Sequence, residues 1–531
     1  MSDPSAVPSS DGPGTASARL DGLTSWHADW SGLRVVVLGL GVTGFAVADT
    51  LTELGARVLV VAPEADDERA ELLGLIGAEL TLAPADAAPP VDVEDFGAEV
   101  VVVSPGFAPH HPWTVWADAS PAAVWGDVEL AWRVRDKVSD HVADWVLVTG
   151  TNGKTTTTQL TAAMVLADGR RVAPCGNIGV PVLDAVRDPE GFDVFVVELS
   201  SHQLHRLPVT GPGALRPLAS VCLNLEADHL QWHGSFDAYR DAKAKVYENT
   251  VVAAIWSKED DATLRMVERA DVVEGCRAVG IGLSAPGPSE LGVVTGDDGG
   301  VLVDRAFLDD RRTHALELTT VGAATASGLG ADHLLLDVLA AAALARAVDV
   351  APSAVRDAVA AFRVDRHRTE VVASADGVTW VDDSKATNPH AAQASLAAFP
   401  SVVWLVGGLF KGVDPAPLVV DAVATGRLRG AVLLGVDRQG LREAFRRHAP
   451  DLPVLEVEAT DTGDVMPTAV RLAASVARDG DAVLLAPAAA SMDQFSDYAD
   501  RGRSFASAVH DHLGGDADGQ SAVRAPAPPV D

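Results

Sequence analysis

Gly150, Gly153, Lys154 and Thr155 lie in one stretch, WVLVTGTNGKTTTT at 145–158, whose residue types suit the holding of a phosphate. Glycines let backbone N–H groups come close to a ligand, a lysine supplies a point charge, and a threonine hydroxyl at a helix start suits a phosphate-bound cation. The implied ligand is ATP. The apolar run Trp145–Val148 reads as a buried strand that stops at Thr149-Gly150. The usual eight-residue cradle has Gly where Val148 stands, so this is a shortened loop.

Further along, the strand Asp193–Val197 ends in Glu198-Leu199-Ser200-Ser201. A carboxylate at a strand's C-terminal end, in the same sheet as a phosphate loop, is where a magnesium ligand is wanted. The strand Ala219–Leu225 gives way to Glu226-Ala227-Asp228-His229, where His229 by itself reads as a turn histidine. The helix Phe236–Tyr247 puts Tyr239, Lys243 and Val246 on one stripe, and a lysine there ordinarily snorkels. Nearer the start, the strand Leu33–Leu38 leads into Gly39-Leu40-Gly41-Val42-Thr43-Gly44 and a helix, a GxGxxG fingerprint in its strand–turn–helix setting. A second strand, Val58–Ala62, is followed by Glu64, where a dehydrogenase places its ribose-binding acid. The fingerprint admits either NAD or a UDP-sugar, because both carry a pyrophosphate. The strand Glu99–Val103 ends at Ser104-Pro105-Gly106, which reads equally as a ligand loop or a plain turn.

These groups need several sheets to position them. A length of 531 residues implies two to four domains, and 48% hydrophobic content supports globular cores. With 41 basic against 74 acidic residues the net charge is −33, so neither nucleic acid nor an anionic membrane is an expected partner. Three cysteines, Cys175, Cys222 and Cys276, have no metal-ligand spacing and fit a reducing cytoplasm. The Ser-, Pro- and Gly-rich start has no signal-peptide pattern, and 1–30 and 514–531 are expected to be disordered. Between them the expected units are a Rossmann-like domain at 31–141, a P-loop ATPase-like α/β domain at 142–362 and a second Rossmann-like domain at 363–513. The last has expected strands at Val378–Val381, Val402–Val406, Ala431–Leu434 and Ala482–Leu485, and 281–330 is expected to form hairpins on the middle domain. A monomer is expected.

TGTNGKTTTT, GNIG, ELSSHQL, NLEADHL and YRDAKAKVYEN, in that order, resemble the Mur ligases of peptidoglycan synthesis, in their D-glutamate-adding branch. VDDSKATNPHAA, GGLFKG and AAASMDQF extend the resemblance to most of the chain, from about Leu33 to Phe505. It implies three α/β domains and an acyl-phosphate mechanism in which ATP activates the carboxylate of UDP-N-acetylmuramoyl-L-alanine for attack by D-glutamate. It also implies that the first domain binds UDP rather than NAD, through Val42, Thr43, Ser104 and Gly106, with Asn177 on the muramoyl group. ATP contacts are implied at Gly150, Thr151, Asn152, Gly153, Lys154, Thr155, Thr156, Asp337, Arg368 and Asp383. Two magnesium ions are implied at Thr155, Glu198, His229 and Lys243, the lysine carrying a carbamate, with Lys245 its rival one slot away. Lys154, Glu198, His229 and Lys243 form the implied catalytic set. Lys385, Thr387, Lys411, Ser491, Met492 and Phe495 are implied substrate contacts, on a domain that closes over the nucleotide. One departure stands out: relatives commonly show His-Asn-x-x-Asn where this chain has His333-Leu334 and Asp337, and an ionised Asp337 can only accept. The rival readings are a ligase for another amino acid, a catalytically impaired relative, and an NAD-dependent oxidoreductase, which leaves the cradle and Lys243 unexplained.

Overall fold

The structure is a computed structural model that describes residues 13–514 apart from 139–140, 297–298, 364–365 and 460. The first twelve residues of the expected arm, and the expected tail from 515 onward, lie outside the described residues. The described residues pack into two compact units, 13–225 with 232–363, and 226–231 with 366–514.

The first unit contains two sheets. One is parallel, with order β3-β2-β1-β4-β5, from β1 (Arg34–Leu38), β2 (Arg57–Ala62), β3 (Glu79–Leu82), β4 (Val100–Val103) and β5 (Ala123–Trp125). Its strand order reverses between β1 and β4, the place where doubly wound folds bind ligands. The other sheet runs β14-β13-β12-β11-β10-β9-β6-β8-β7. It is built from β6 (Asp144–Thr149), β7 (Val172–Gly176), β8 (Val194–Glu198), β9 (Ala219–Cys222), β10 (Ala253–Ser257), β11 (Arg277–Ile281), β12 (Glu290–Gly296), β13 (Gly299–Asp304) and β14 (Leu316–Thr320). The last three form the expected hairpins: β12 joins β11 parallel, and β13 and β14 then add antiparallel. The central strands read as continuous apolar runs because helices cover both faces; every residue of β4 and β8 is buried.

The expectation of a disordered arm to residue 30 is corrected. Pro13–Gly22 is a helix, and Leu23 and Trp30 are buried in the core of the first unit. Arg133, itself paired to Glu129 at 2.8 Å, donates to the carbonyls of Leu20 and Leu23, and Trp30 packs edge-on to Trp125. The two sheets share that core, with Trp132 packed edge-on against Trp145 and Arg187 salt-bridged to Asp49 and Glu53. This continuity joins the two expected domains 31–141 and 142–362 in one compact unit.

The second unit carries the sheet β15-β16-β20-β17-β18-β19, from β15 (Glu370–Ala375), β16 (Val378–Asp382), β17 (Val402–Gly407), β18 (Leu428–Leu434), β19 (Val454–Glu456) and β20 (Ala482–Leu485). Only the β15–β16 pair is antiparallel. Its boundary falls one residue beyond the expected 362/363 division.

Candidate active site

Register fixes where the cradle emerges. β6 lies between β8 and β9, with Val148 opposite both Glu198 and Val221, so the loop after Thr149 leaves at the carboxyl edge of the sheet. Gly150 and Gly153 take φ of 151° and 83°, open to glycine and costly to other residues. Asn224 pins the loop: Thr151 N–H donates to its carbonyl at 3.0 Å and Asn152 N–H to its Oδ1 at 2.8 Å, while its Nδ2 returns a bond to the Asn152 carbonyl at 3.2 Å. The helix Lys154–Ala167 then begins, with Thr155 and buried Thr156 in its first turn. Lys154 Nζ donates to the carbonyls of Gly150 at 3.0 Å and Thr151 at 2.8 Å, so its ammonium lies on its own loop.

Glu198 and Asn177 meet. Asn177 Nδ2 donates to Glu198 Oε1 at 2.9 Å, and Asn177 N–H donates to the Glu198 carbonyl at 2.9 Å. Gly176 permits this approach, since a Cβ there would lie 2.4 Å from the Glu198 carbonyl oxygen. Glu198 is 2% exposed, and its Oε2 is buried with no hydrogen-bond partner among the described residues. An orphaned carboxylate oxygen beside a phosphate loop suits a hard divalent cation, so the donor set fits magnesium.

Lys243 is buried under the loop, on the helix Phe236–Ala244. Its Nζ donates to the Gly150 carbonyl at 2.7 Å and to Thr149 Oγ1 at 3.2 Å, and sits 5.0 Å from the centre of the Tyr239 ring. Tyr239 in turn bonds Thr151 Oγ1 at 2.8 Å. Two ammonium groups thus converge on one carbonyl. Lys245, by contrast, donates to the carbonyls of His205 and Leu207, away from the loop. Burial pushes the nearby Cys222 thiol up to about 11 although both Lys243 and Lys154 pull it down, so it stays a neutral thiol. Asp337, 4% exposed, abuts the cradle: a Cβ on Gly153 would lie 2.2 Å from its Oδ1.

At the switch point of the first sheet lies a cleft of about 550 Å³ lined by the Gly39–Gly44 turn, Glu64, Arg69, the Ser104–Phe107 loop, Asn177, Ser200 and His202. Val42, Thr43, Ser104 and Gly106 all line it, and Val42 is 63% exposed. Gly44 is required by packing, since a Cβ there would lie 2.0 Å from the Gly39 carbonyl oxygen. Asn177 is common to this cleft and to the Glu198 carboxylate.

In the second unit, Asp383 is buried, accepts from the Ser395 hydroxyl and has its carboxyl pushed up by burial, with Arg368 pulling the other way. Lys385 stands 5.6 Å from the centre of the Tyr498 ring, and Thr387 N–H donates to the Lys385 carbonyl. Lys411 already has partners in this unit, Asp228 at 2.8 Å and His229 Nε2 at 3.4 Å. Ser491 is buried and its carbonyl receives the N–H groups of Gln494 and Phe495. Met492 is 75% exposed, whereas Phe495 packs into the apolar core with Trp380 and Phe505.

Several residues near these groups carried no separate sequence signal. Asn224 lies inside the NLEADHL stretch, but its anchoring role needs the fold. Tyr498 and fully buried Arg501 follow AAASMDQF; Arg501 donates to Ser384 and to the Ala489 carbonyl, and burial lowers its guanidinium to about 10.

The Mur ligase middle domain family model matches residues 148–334, and the Mur ligase glutamate ligase domain model matches 367–489. A protein of Leifsonia xyli called UDP-N-acetylmuramoylalanine–D-glutamate ligase is 64% identical over 512 residues, covering 95% of this chain and 98% of that one. A protein of the same name from Streptomyces avermitilis is 50% identical, covering 91% and 98%. Among solved structures, the UDP-N-acetylmuramate–alanine ligase of Thermotoga maritima superposes with a TM-score of 0.52 at 17% identity, covering 91% of this chain and 99% of that one. A murein peptide ligase from Psychrobacter arcticus gives 0.51 at 14%, covering 90% and 99%, a likeness of fold. The chain belongs to the Mur ligase family, in the branch of the UDP-N-acetylmuramoylalanine–D-glutamate ligases.

Proposed function

We propose that the chain joins D-glutamate to UDP-N-acetylmuramoyl-L-alanine with ATP, in the cytoplasm, as a monomer. The observation that carries this reading is Asn177, which lines the cleft of the first sheet and also donates to the Glu198 carboxylate beside the phosphate loop. A UDP-sugar held by the Gly39–Gly44 turn and the Ser104 loop would then direct its alanyl carboxylate toward the cradle, with Asn177 as guide. The names of the relatives support the choice of substrates.

The carboxylate attacks the terminal phosphorus of ATP; ADP departs and an acyl phosphate forms. The amine of D-glutamate then attacks the acyl carbon, loses a proton and expels phosphate, leaving an amide. Lys154, released from the Gly150 and Thr151 carbonyls, would neutralise the transferring phosphoryl oxygens, as the N–H groups at the helix start, Gly153–Thr156, hold the rest of the chain of phosphates. Thr155, Glu198, Lys243 and His229 would hold two magnesium ions, with Glu198 Oε2 as the ready donor. When bound, magnesium draws off charge as it builds on the phosphoryl oxygens. A carbamate on Lys243 forms when a neutral amine adds carbon dioxide and loses a proton, and it would convert one of two crowded cations into an oxygen donor.

In the second unit, Arg368 and Asp383 would serve the nucleotide, and Lys385, Thr387, Lys411, Ser491 and Met492 the amino acid. Lys411 would have to exchange Asp228 for a D-glutamate carboxylate. The test is phosphate release from ATP in the presence of UDP-N-acetylmuramoyl-L-alanine and a panel of amino acids. Release should depend on D-glutamate; equal release with L-lysine or meso-diaminopimelate overturns the substrate assignment.

A further inference from the structure

Arg368 stands between two residues in left-handed backbone, His367 at φ 66° and Thr369 at φ 49°, a conformation that residues with a Cβ seldom adopt. Such a turn persists only where its surroundings fix it. Here the fixing group is the His367 side chain, 6% exposed, whose Nδ1 lies 2.6 Å from Oδ2 of Asp382, itself 1% exposed. The other carboxylate oxygen of Asp382 accepts from Ser384 N–H at 2.9 Å. The His367 N–H donates to Glu370 Oε2 at 2.9 Å, and its carbonyl accepts from Lys385 N–H at 3.2 Å. One buried pair therefore sets the backbone on the His367 side of Arg368 and ties it to the loop that bears Lys385, while Thr369 on the other side bonds the Asp383 carboxylate through its backbone.

A separate feature makes room for the pair. The helix Tyr498–Gly514 presents Gly502 to it, and a Cβ there would lie 2.2 Å from His367 Nδ1 and 2.7 Å from Asp382 Oδ2. His367, Glu370 and Asp382 are also near enough to one another to suggest a metal site. The 2.6 Å approach of Nδ1 to Oδ2 is a direct hydrogen bond, which leaves no space for an ion between those two atoms.

We infer that His367 and Asp382 are positioning residues of the ligase reaction: the pair holds the left-handed turn that presents Arg368 and, through the His367 carbonyl, the loop that presents Lys385. This rests on the roles proposed above for Arg368 and Lys385.

The test uses three variants of the full chain. His367→Asn keeps a side-chain amide donor and tolerates left-handed backbone; His367→Gly keeps only the backbone freedom. Gly502→Ala leaves the pair's chemistry intact and drives a methyl into it, at a helix position where that change ordinarily stabilises. KM and kcat for ATP and for the amino acid, affinity for a non-hydrolysable ATP analogue, and melting temperature are measured for each. A purely structural role lowers the amount of folded enzyme and leaves KM unchanged. The clamp predicts KM for ATP and analogue affinity about tenfold worse in His367→Gly and Gly502→Ala, and largely kept in His367→Asn, in proteins that unfold cooperatively. Wild-type KM and analogue affinity in a folded Gly502→Ala protein overturn it, as does equal impairment of His367→Asn and His367→Gly. If His367→Gly does not fold, the comparison of His367→Asn with Gly502→Ala decides. Analogue affinity does not depend on which amino acid is added, so a protein inactive with D-glutamate whose affinity still falls in Gly502→Ala overturns the substrate reading and keeps the clamp.

Discussion

Gly153→Ala offers a quantitative probe of the cradle. The residue sits at φ 83°, which costs an alanine about 1–2 kcal/mol. Its new Cβ would lie 2.2 Å from Asp337 Oδ1, 3.0 Å from Asp337 Cγ and 3.1 Å from Leu223 Cδ1, so the carboxylate must retreat by about an ångström to reach ordinary contact. Asp337 is buried on the helix Asp332–Ala347, and displacing a packed group costs about another 1–3 kcal/mol. The sum is about 2–5 kcal/mol, which expressed wholly in nucleotide affinity is a loss of about 30-fold or more. A double-mutant cycle separates the parts. With Asp337→Ala as background the collision is gone, and Gly153→Ala should cost only the backbone part of about 1–2 kcal/mol. Affinity for an ATP analogue by titration calorimetry, with melting temperature alongside, gives the four corners. Equal cost of Gly153→Ala in both backgrounds, or no cost at all, refutes the reasoning that Asp337 forms the wall of the loop.

Two other outcomes are expected. Lys243→Ala should abolish phosphate release and regain part of it in a short-chain carboxylate, which can stand in for the carbamate oxygens; an active variant that needs no rescue counts against that role. Asp127 is buried, accepts from Gln203 Nε2 at 2.9 Å, and has its carboxyl raised by burial above the ordinary 3.8. The folded state therefore holds this proton more tightly, and its contribution to stability declines as pH rises from 3.8 through the raised folded value. Asp127→Asn lacks that decline, so its melting temperature relative to the parent should climb over this range; a flat difference would show that burial of Asp127 is not coupled to protonation.

How much was legible in the sequence depended on how local the signal was. The cradle and the GxGxxG turn could be read because strand, glycines and helix start follow one another directly, and the glycines are needed at positions that the backbone itself reveals. β9 was expected to run to Leu225 and ends at Cys222, because Asn224 turns aside to bond Thr151 and Asn152, residues far away in sequence. The arm to residue 30 looked disordered by composition, but Arg133 and Trp125, about a hundred residues on, supply partners to Leu20, Leu23 and Trp30. Phe495 closes the AAASMDQF motif and Tyr498 follows three residues on; only the fold shows that the first fills the core and the second faces Lys385. Lys411 was implied only as a substrate contact, and its Asp228 partner belongs to a distant segment of the sequence. Edge strands such as β15 and β19, half exposed and short of apolar alternation, gave no pattern to find.

The central claim is that ATP activates a carboxylate on a UDP-sugar, guided by Asn177 toward Glu198 and the Gly150–Thr155 loop. UDP-N-acetylmuramoyl-L-alanine labelled with oxygen-18 in its alanyl carboxylate tests it most directly. Incubated with ATP, magnesium and D-glutamate, it should deliver one labelled oxygen to each phosphate released, as the mass spectrum of that phosphate reports. Unlabelled phosphate formed in step with the amide would contradict the acyl-phosphate account.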